Sequence, residues 1–231
     1  MRVRLMIVCL LLSATVAFAA NEAVERITDA KTVFEEIMAA PDKGIPADLL
    51  AKAHCIVIVP GLKRGGFVVG GQYGKGVATC RREDGKGWTG PSTIRMEGGS
   101  FGFQIGGGET DIVMMVMNET GANKLMKSEF TVGGEGAAMA GPVGRTATAE
   151  TDAYLRAEIL SYSRSRGLFA GAVIKGSTLR SDDNDNETIY GKSVKHEDIL
   201  RNRVAPPASA APLLALLSKH SAVESQPSNS Q

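Results

Sequence analysis

Beyond its first twenty residues the sequence has no apolar run approaching the roughly 20 residues needed to cross a hydrocarbon core, which predicts a mature protein that is soluble or peripheral to a membrane. Charge of one sign is also missing: 26 basic residues stand against 25 acidic ones. Removing residues 1–20 takes away Arg2 and Arg4 and no acid, so 26 − 2 = 24 basic residues face 25 acidic ones, a net −1. So balanced a chain is not drawn as a whole to nucleic acid or anionic membrane, and only a local patch would be. The three histidines, His54, His196 and His220, offer few partners to a nucleophilic serine, and Trp88 is the single tryptophan.

The chain opens MRVRLMIVCLLLSATVAFAA. Two arginines, an apolar run from Leu5 to Leu12 and small residues ending in Ala17-Phe18-Ala19 form the pattern of a secretory signal peptide over residues 1–20, with cleavage expected after Ala19. Cys9 lies inside the apolar run and is expected to leave with it. Cys55 and Cys80 remain. In an oxidising compartment such a pair forms a disulfide, yet each also sits in a strand-like segment where cysteine serves as a small buried hydrophobe. The sequence leaves both readings open, because a bridge needs a Cα separation below about 7 Å.

Val24, Ile27, Phe34, Ile37 and Met38 recur at helical spacing, predicting an amphipathic helix over 21–40 that Pro41 ends, and residues 45–53 read as a second, short helix. From His54 to Thr110 the pattern changes to strand-like pieces separated by glycine-rich or charged turns. DIVMMVM over 111–117 reads as a strand buried on both faces, and Asn118 caps a short helix to Lys127. A second β region follows, with a hairpin turn expected at Ser165-Arg166-Gly167 and an acidic loop at SDDNDNE. A closing helix is expected over 197–202. The Pro/Ala/Ser-rich segment 205–231 reads as a disordered tail, with Leu213 to Leu217 transiently helical. Glycines inside the strands, among them Gly65, Gly66, Gly70, Gly71 and Gly102, signify bulges, bends or close backbone approach. The expected fold is therefore a single α+β domain over 21–204: a strongly curved, barrel-like antiparallel sheet with flanking helices.

Gly98-Gly99-Ser100-Phe101-Gly102 fits the G-x-S-x-G pattern of a hydrolase nucleophile, but that motif needs a helix after the serine, and FGFQIGGG cannot start one. Ser100 is expected in a strand. The glycine runs at Gly70 and Gly133 lack the order and the following helix of phosphate loops. Asp183-Asn184-Asp185-Asn186-Glu187 begins like a calcium loop but has Thr188 where glycine belongs and Val194 where glutamate belongs. No catalytic residue, metal ligand or cofactor follows from the residues. Positive charge does gather between Gly61 and Gly87, where Lys63, Arg64, Lys75, Arg81, Arg82 and Lys86 face only Glu83 and Asp84, a surplus of 6 − 2 = 4. A phosphate-binding face and an ordinary solvated strand edge both fit. Trp88 beside it reads either as a residue inserted at an interface or as core.

The blocks AKAHCIVIVPGLKRGGFVVGGQYGKGV, GWTGPSTIRMEGGSFGFQIGGGETDIVMMVMNETG, TVGGEGAAMAGPVGR and EILSYSRSRGLFAGAVIKGSTLRSDDNDNETIYG, in this order from Val24 to Gly191, resemble the SYLF family of lipid-binding domains. The resemblance implies a compact mixed domain, not an enzyme, that binds membrane phospholipids with anionic head groups; some eukaryotic members also bind actin. It places Ser100 in the family's own GGS-x-G strand pattern and favours the basic cluster as the lipid site. The signal peptide and the lack of an SH3 or zinc-finger segment imply a bacterial periplasmic or secreted setting, peripheral to a membrane, where actin and nucleic acid are not expected partners. The first helix carries five acidic and two basic residues, poor chemistry for docking on anionic lipid, so the strand region is the expected membrane contact.

Overall fold

The structure is a computed structural model, and the residues it describes are 22–40, 44–67, 69–101, 108–132, 138–141, 157–163, 174 and 176–221. Helix α1 spans 22–39 and buries Ile27, Ala30, Phe34 and Ile37, the stripe that a 3.6-residue period places on one side. Helix α2 (Ala47–Lys52) follows Pro46 and buries Leu49 and Leu50.

The sheet then begins. Strands β1 (Cys55–Phe67), β2 (Val69–Cys80), β3 (Ser92–Phe101) and β4 (Gly108–Val116) precede helix α3 (Glu119–Leu125). Asn118 caps α3 by accepting the Gly121 N–H at 2.9 Å, as its side chain predicts. Short strands β5 (Glu129–Thr131), β6 (Ala138–Ala140), β7 (Ile159–Ser163) and β8 (Thr178–Ser181) complete an eight-stranded sheet in the order β5-β8-β3-β2-β1-β4-β7-β6. Every pairing is antiparallel except β6 with β7. Helices α4 (Asp183–Tyr190), α5 (His196–Leu200) and α6 (Ala211–His220) close the domain.

Half of the sheet is buried on both faces. Ile56, Ile58, Val77, Val113 and Met115 pack under α1 and α2, while Val57, Val59, Ala78, Ile94 and Met114 pack under α3 and α5. Ile112 through Met117 are all buried, which is why that strand shows no polar alternation. The opposite, distal end of the sheet gathers the ends of β1 and β3 and the starts of β2 and β4.

The curvature has a local cause. Between Ile58↔Val77 and Lys63↔Tyr73, β1 advances five residues while β2 advances four, and it gains one residue on β4 as well. This bulge carries Pro60 and Gly61. Gly61 adopts φ +57, the left-handed region open to glycine, and its N–H bonds Asp111 Oδ1 at 2.9 Å. Beneath the bulge a Cβ on Gly76 would overlap the Ile58 carbonyl, so glycine there permits the close strand approach.

Two expectations need correction. The segment from 205 is not a disordered tail as far as residue 221: Ala208–Ala210 form a 3-10 turn and α6 buries Leu213 and Leu217 in the core beside α1. Alanines favour helix, Pro212 sits in the first turn, and two leucines four residues apart suffice once an apolar surface awaits them. The acidic stretch is helix α4, ended by Gly191 at φ +67, with Asn186 turned inward and fully buried. Composition marked it polar, but helical periodicity gives it an inner face. The hairpin turn expected at Ser165-Arg166-Gly167 lies outside the described residues; of the strands on either side, β7 joins β4 and β8 joins β3.

Candidate functional site

Ser100 is in β3, paired with Gly70, and the strand continues through Phe101. That is the wrong context for an exposed nucleophile, which needs a sharp strand-to-helix turn. The contact that does resemble a catalytic pair involves residues the sequence did not single out: Ser92 Oγ lies 2.7 Å from His196 Nδ1, whose Nε2 lies 2.8 Å from the Leu125 carbonyl oxygen. Both side chains are buried. Burial holds the imidazole below its ordinary pKa of 6.5, and Asn186 completes the network by accepting the Thr93 N–H at 2.8 Å. With Nε2 committed to the backbone and no surface access, this is a satisfied polar core rather than a reaction centre.

The basic cluster is divided by the fold. The Arg81 guanidinium points back under the sheet, where Nη2 donates to the Leu50, Ala51 and Ser221 carbonyls at 3.0, 3.1 and 3.3 Å and Nε to Ala53 at 3.3 Å. It stands at the C-terminal ends of α2 and α6, where a cation is favoured. Trp88 is 4% exposed and donates from Nε1 to Ser221 Oγ at 3.2 Å, so it is core and not an inserting residue. Lys75 contacts Asp182 and Asp185 at 2.9 and 3.0 Å. Burial pulls this ammonium's pKa down and the two aspartates more than offset that, leaving it raised. Asp185 also pairs with Arg26 of α1, and Asp182 lies 3.8 Å from Arg95. Arg82 meets Asp84 at 2.9 Å. These residues answer the fold's own charges. Exposed Lys86 sits in the 83–87 turn.

Lys63 and Arg64 remain, at the distal end of β1. Adjacent strand residues point to opposite faces. Lys63 faces a groove of about 330 Å³ whose other charged walls are Glu22, Glu25, Asp29 and Glu109 against Arg26 and Lys75, and those two cations are already paired with Asp185. Arg64 faces the other side, opposite Gln72 of β2 and Gly108 of β4. Gln72 is buried with its amide nitrogen bonded to Ser177 Oγ. Arg64 is half-buried, its Nε is sealed from solvent without an acceptor, as are those of Arg82 and Arg95, and burial lowers its pKa. Among the described arginines it stands apart: Arg26, Arg82, Arg95, Arg180, Arg201 and Arg203 each meet a carboxylate, and Arg81 meets four carbonyls.

A family model described as Las17-binding protein actin regulator, Ysc84, matches residues 97–220. The chain belongs to the Ysc84 family. Its relatives include LAS seventeen-binding protein 3 of Saccharomyces cerevisiae, 37% identical over 193 residues covering 81% of this chain and 41% of the relative. SH3 domain-containing YSC84-like protein 1 of Homo sapiens is 34% identical over 178 residues, covering 77% of this chain and 52% of the relative. Protein YSC84 of Saccharomyces cerevisiae is 36% identical over 181 residues, 76% of this chain and 38% of the relative. The chain thus spans about half the length of these relatives or less. The names describe binding and regulatory proteins rather than enzymes. The Ysc84 match ends at residue 220, so α6, which packs on Trp88, falls inside the family's domain.

The SYLF resemblance and the Ysc84 family are the same assignment, and the curved α+β domain is the one expected. Cys55 and Cys80 are partners in the β1–β2 register and are joined by a disulfide with Cα atoms 3.9 Å apart. Among the described residues no group of three metal-ligating side chains comes together. Sequence reasoning missed the carboxylates of α4 and its N-cap that claim Lys75, and the buried Ser92–His196–Asn186 network. Each partner lies roughly a hundred residues away along the chain, and no local signal marks it.

Proposed function

We propose that this chain is a non-enzymatic phospholipid-binding domain acting at a membrane surface of a bacterial cell envelope, with anionic head groups met at the distal end of the sheet. Arg64 carries this reading. It lies half-exposed at the distal end with no carboxylate partner among the described residues, so its charge is left to be met from outside the domain. Phosphate suits it, because the planar donor fork matches two phosphate oxygens. The SYLF resemblance supports lipid as the source, and the arginine-led apolar start supports an exported setting. Lys86 adds long-range attraction without being a fixed ligand. Lys75, Arg81 and Trp88 are set aside, since their groups are engaged inside the domain.

Co-sedimentation of the mature chain with phosphatidylcholine vesicles, with and without phosphatidylglycerol, tests the proposal. Binding is expected only to the anionic vesicles and is expected to weaken as the Debye length shrinks from about 10 Å at 0.1 M salt to about 3 Å at 1 M. Equal binding to neutral vesicles, or none to either, overturns it.

A second reading is a protein-interaction module of the envelope with no lipid ligand. It is favoured by the names of the family and its relatives, which refer to binding Las17 and regulating actin. It predicts that neither vesicle type is bound at any salt concentration.

A further inference from the structure

We infer that the cavity between the C-terminal ends of α2 and α6 and the 83–87 turn is a binding site for a small organic carboxylate, held by Arg81 with Lys52 and His54 at the rim. The site lies at the disulfide end of β1 and β2, opposite to Arg64, and does not depend on the phospholipid reading. The cavity measures about 580 Å³, within the range of small-molecule pockets. Among the described residues its walls bring Lys52, His54 and Arg81 and no carboxylate. Lys52 and His54 are both exposed. Arg81 is the fixed point: Nε and Nη2 donate to the carbonyls of Leu50, Ala51, Ala53 and Ser221, and the guanidinium lies over the Trp88 ring. That leaves Nη1, which has no acceptor among the described residues and, unlike Nε of Arg64, Arg82 and Arg95, is not sealed from solvent.

A guanidinium already locked in place gives up little side-chain entropy when it takes a ligand. The helix-end carbonyls of Leu50, Ala51 and Ser221, which would repel an anion, are turned onto Nη2. Burial lowers the Arg81 pKa and no carboxylate offsets it, so the charge has no counterion among the described residues. The class of ligand follows from what is left open. One free guanidinium nitrogen does not present the two-nitrogen fork that favours phosphate, whereas a carboxylate can take that donor on one oxygen and Lys52 or His54 on the other. The methyl groups of Ala51 and Ala53 line the wall, so an apolar body on the acid is accommodated as well.

The test follows the Trp88 indole N–H by NMR in the mature chain: it is the single indole signal and is bonded to Ser221 Oγ beside the cavity. Sodium hexanoate, sodium acetate and uncharged hexanol are titrated in turn at one ionic strength. Hexanoate is expected to shift this signal and the backbone amides of Arg81 and Gly87 to saturation, acetate to do so only at higher concentration, and hexanol to leave them in place. Because replacing Arg81 would also loosen the domain, the variants sit at the exposed rim. Lys52→Glu is expected to weaken hexanoate binding by about tenfold, as the loss of one charge-assisted hydrogen bond does. His54→Gln should weaken it less, and both melting temperatures should stay close to the native value. No shift with hexanoate overturns the site. An equal response to hexanol overturns its assignment to carboxylates. Hexanoate affinity unchanged in both variants puts the ligand elsewhere and overturns the site as well.

Discussion

The Arg81 guanidinium lies 4.4 Å from the centre of the Trp88 ring and donates to backbone carbonyls at the ends of both α2 and α6. One side chain thus joins the second helix, the sheet and the last helix. Arg81→Ala removes charged hydrogen bonds and a cation–π contact together and is expected to cost about 2–3 kcal/mol. Arg81→Lys should recover only part of this, since an ammonium cannot span the same carbonyls. Urea denaturation measures both, and an Arg81→Ala protein as stable as the native one would remove the guanidinium from its anchoring role.

Docking of α6 can be followed through the only tryptophan. Trp88 is buried and bonded to Ser221 Oγ, so truncation before Ala208 should expose the indole and shift its fluorescence to longer wavelength. Leu217→Ala should destabilise the domain by about 2–5 kcal/mol, as other buried leucine truncations do. An unchanged emission spectrum in the truncated protein would return 205–221 to the status of a tail.

The Cys55–Cys80 bridge closes a sequence separation of 25 residues. Reduction is expected to lower stability by about 3 kcal/mol through the added freedom of the unfolded chain. Thiol titration of the unreduced, unfolded mature protein should find no free thiol, and two free thiols would dismiss the bridge.

His196 makes stability depend on pH with a definite sign. Its folded pKa is depressed below the ordinary 6.5, first by burial. The unfolded chain therefore binds a proton on falling through about 6.5 while the folded one resists. The contribution is complete above that pH and is lost as pH drops through the folded pKa. His196→Gln should lower stability at neutral pH yet flatten the decline between about pH 7 and 5. Parallel stability–pH curves for the two proteins would show that another group sets the slope.

Much of the architecture was legible because its signals are local. The Ile27–Phe34–Ile37 spacing marks α1, Asn118 marks the start of α3, and the unbroken apolar run of β4 marks a strand covered on both faces. The mid-strand glycines signify an irregular, curved sheet but not where it bends: Gly65, Gly66, Gly70 and Gly71 pair in register, and the bulge lies at Pro60-Gly61. The ordered motif blocks likewise identify the family from sequence alone. Three things depended on tertiary structure. Leu213 and Leu217 look dispensable until α1 and Trp88 supply the surface they cover. Cys55 and Cys80 become a bridge only because the register sets them opposite one another. In the basic cluster, composition counted six cations, but whether a cation is free depends on partners far along the chain: Lys75 is claimed by Asp182 and Asp185, and Arg81 by two helix ends, while Arg64 has no carboxylate partner among the described residues. Periodicity acts between near neighbours and can be read from the sequence, whereas charge compensation acts through space and is decided only when the chain has folded.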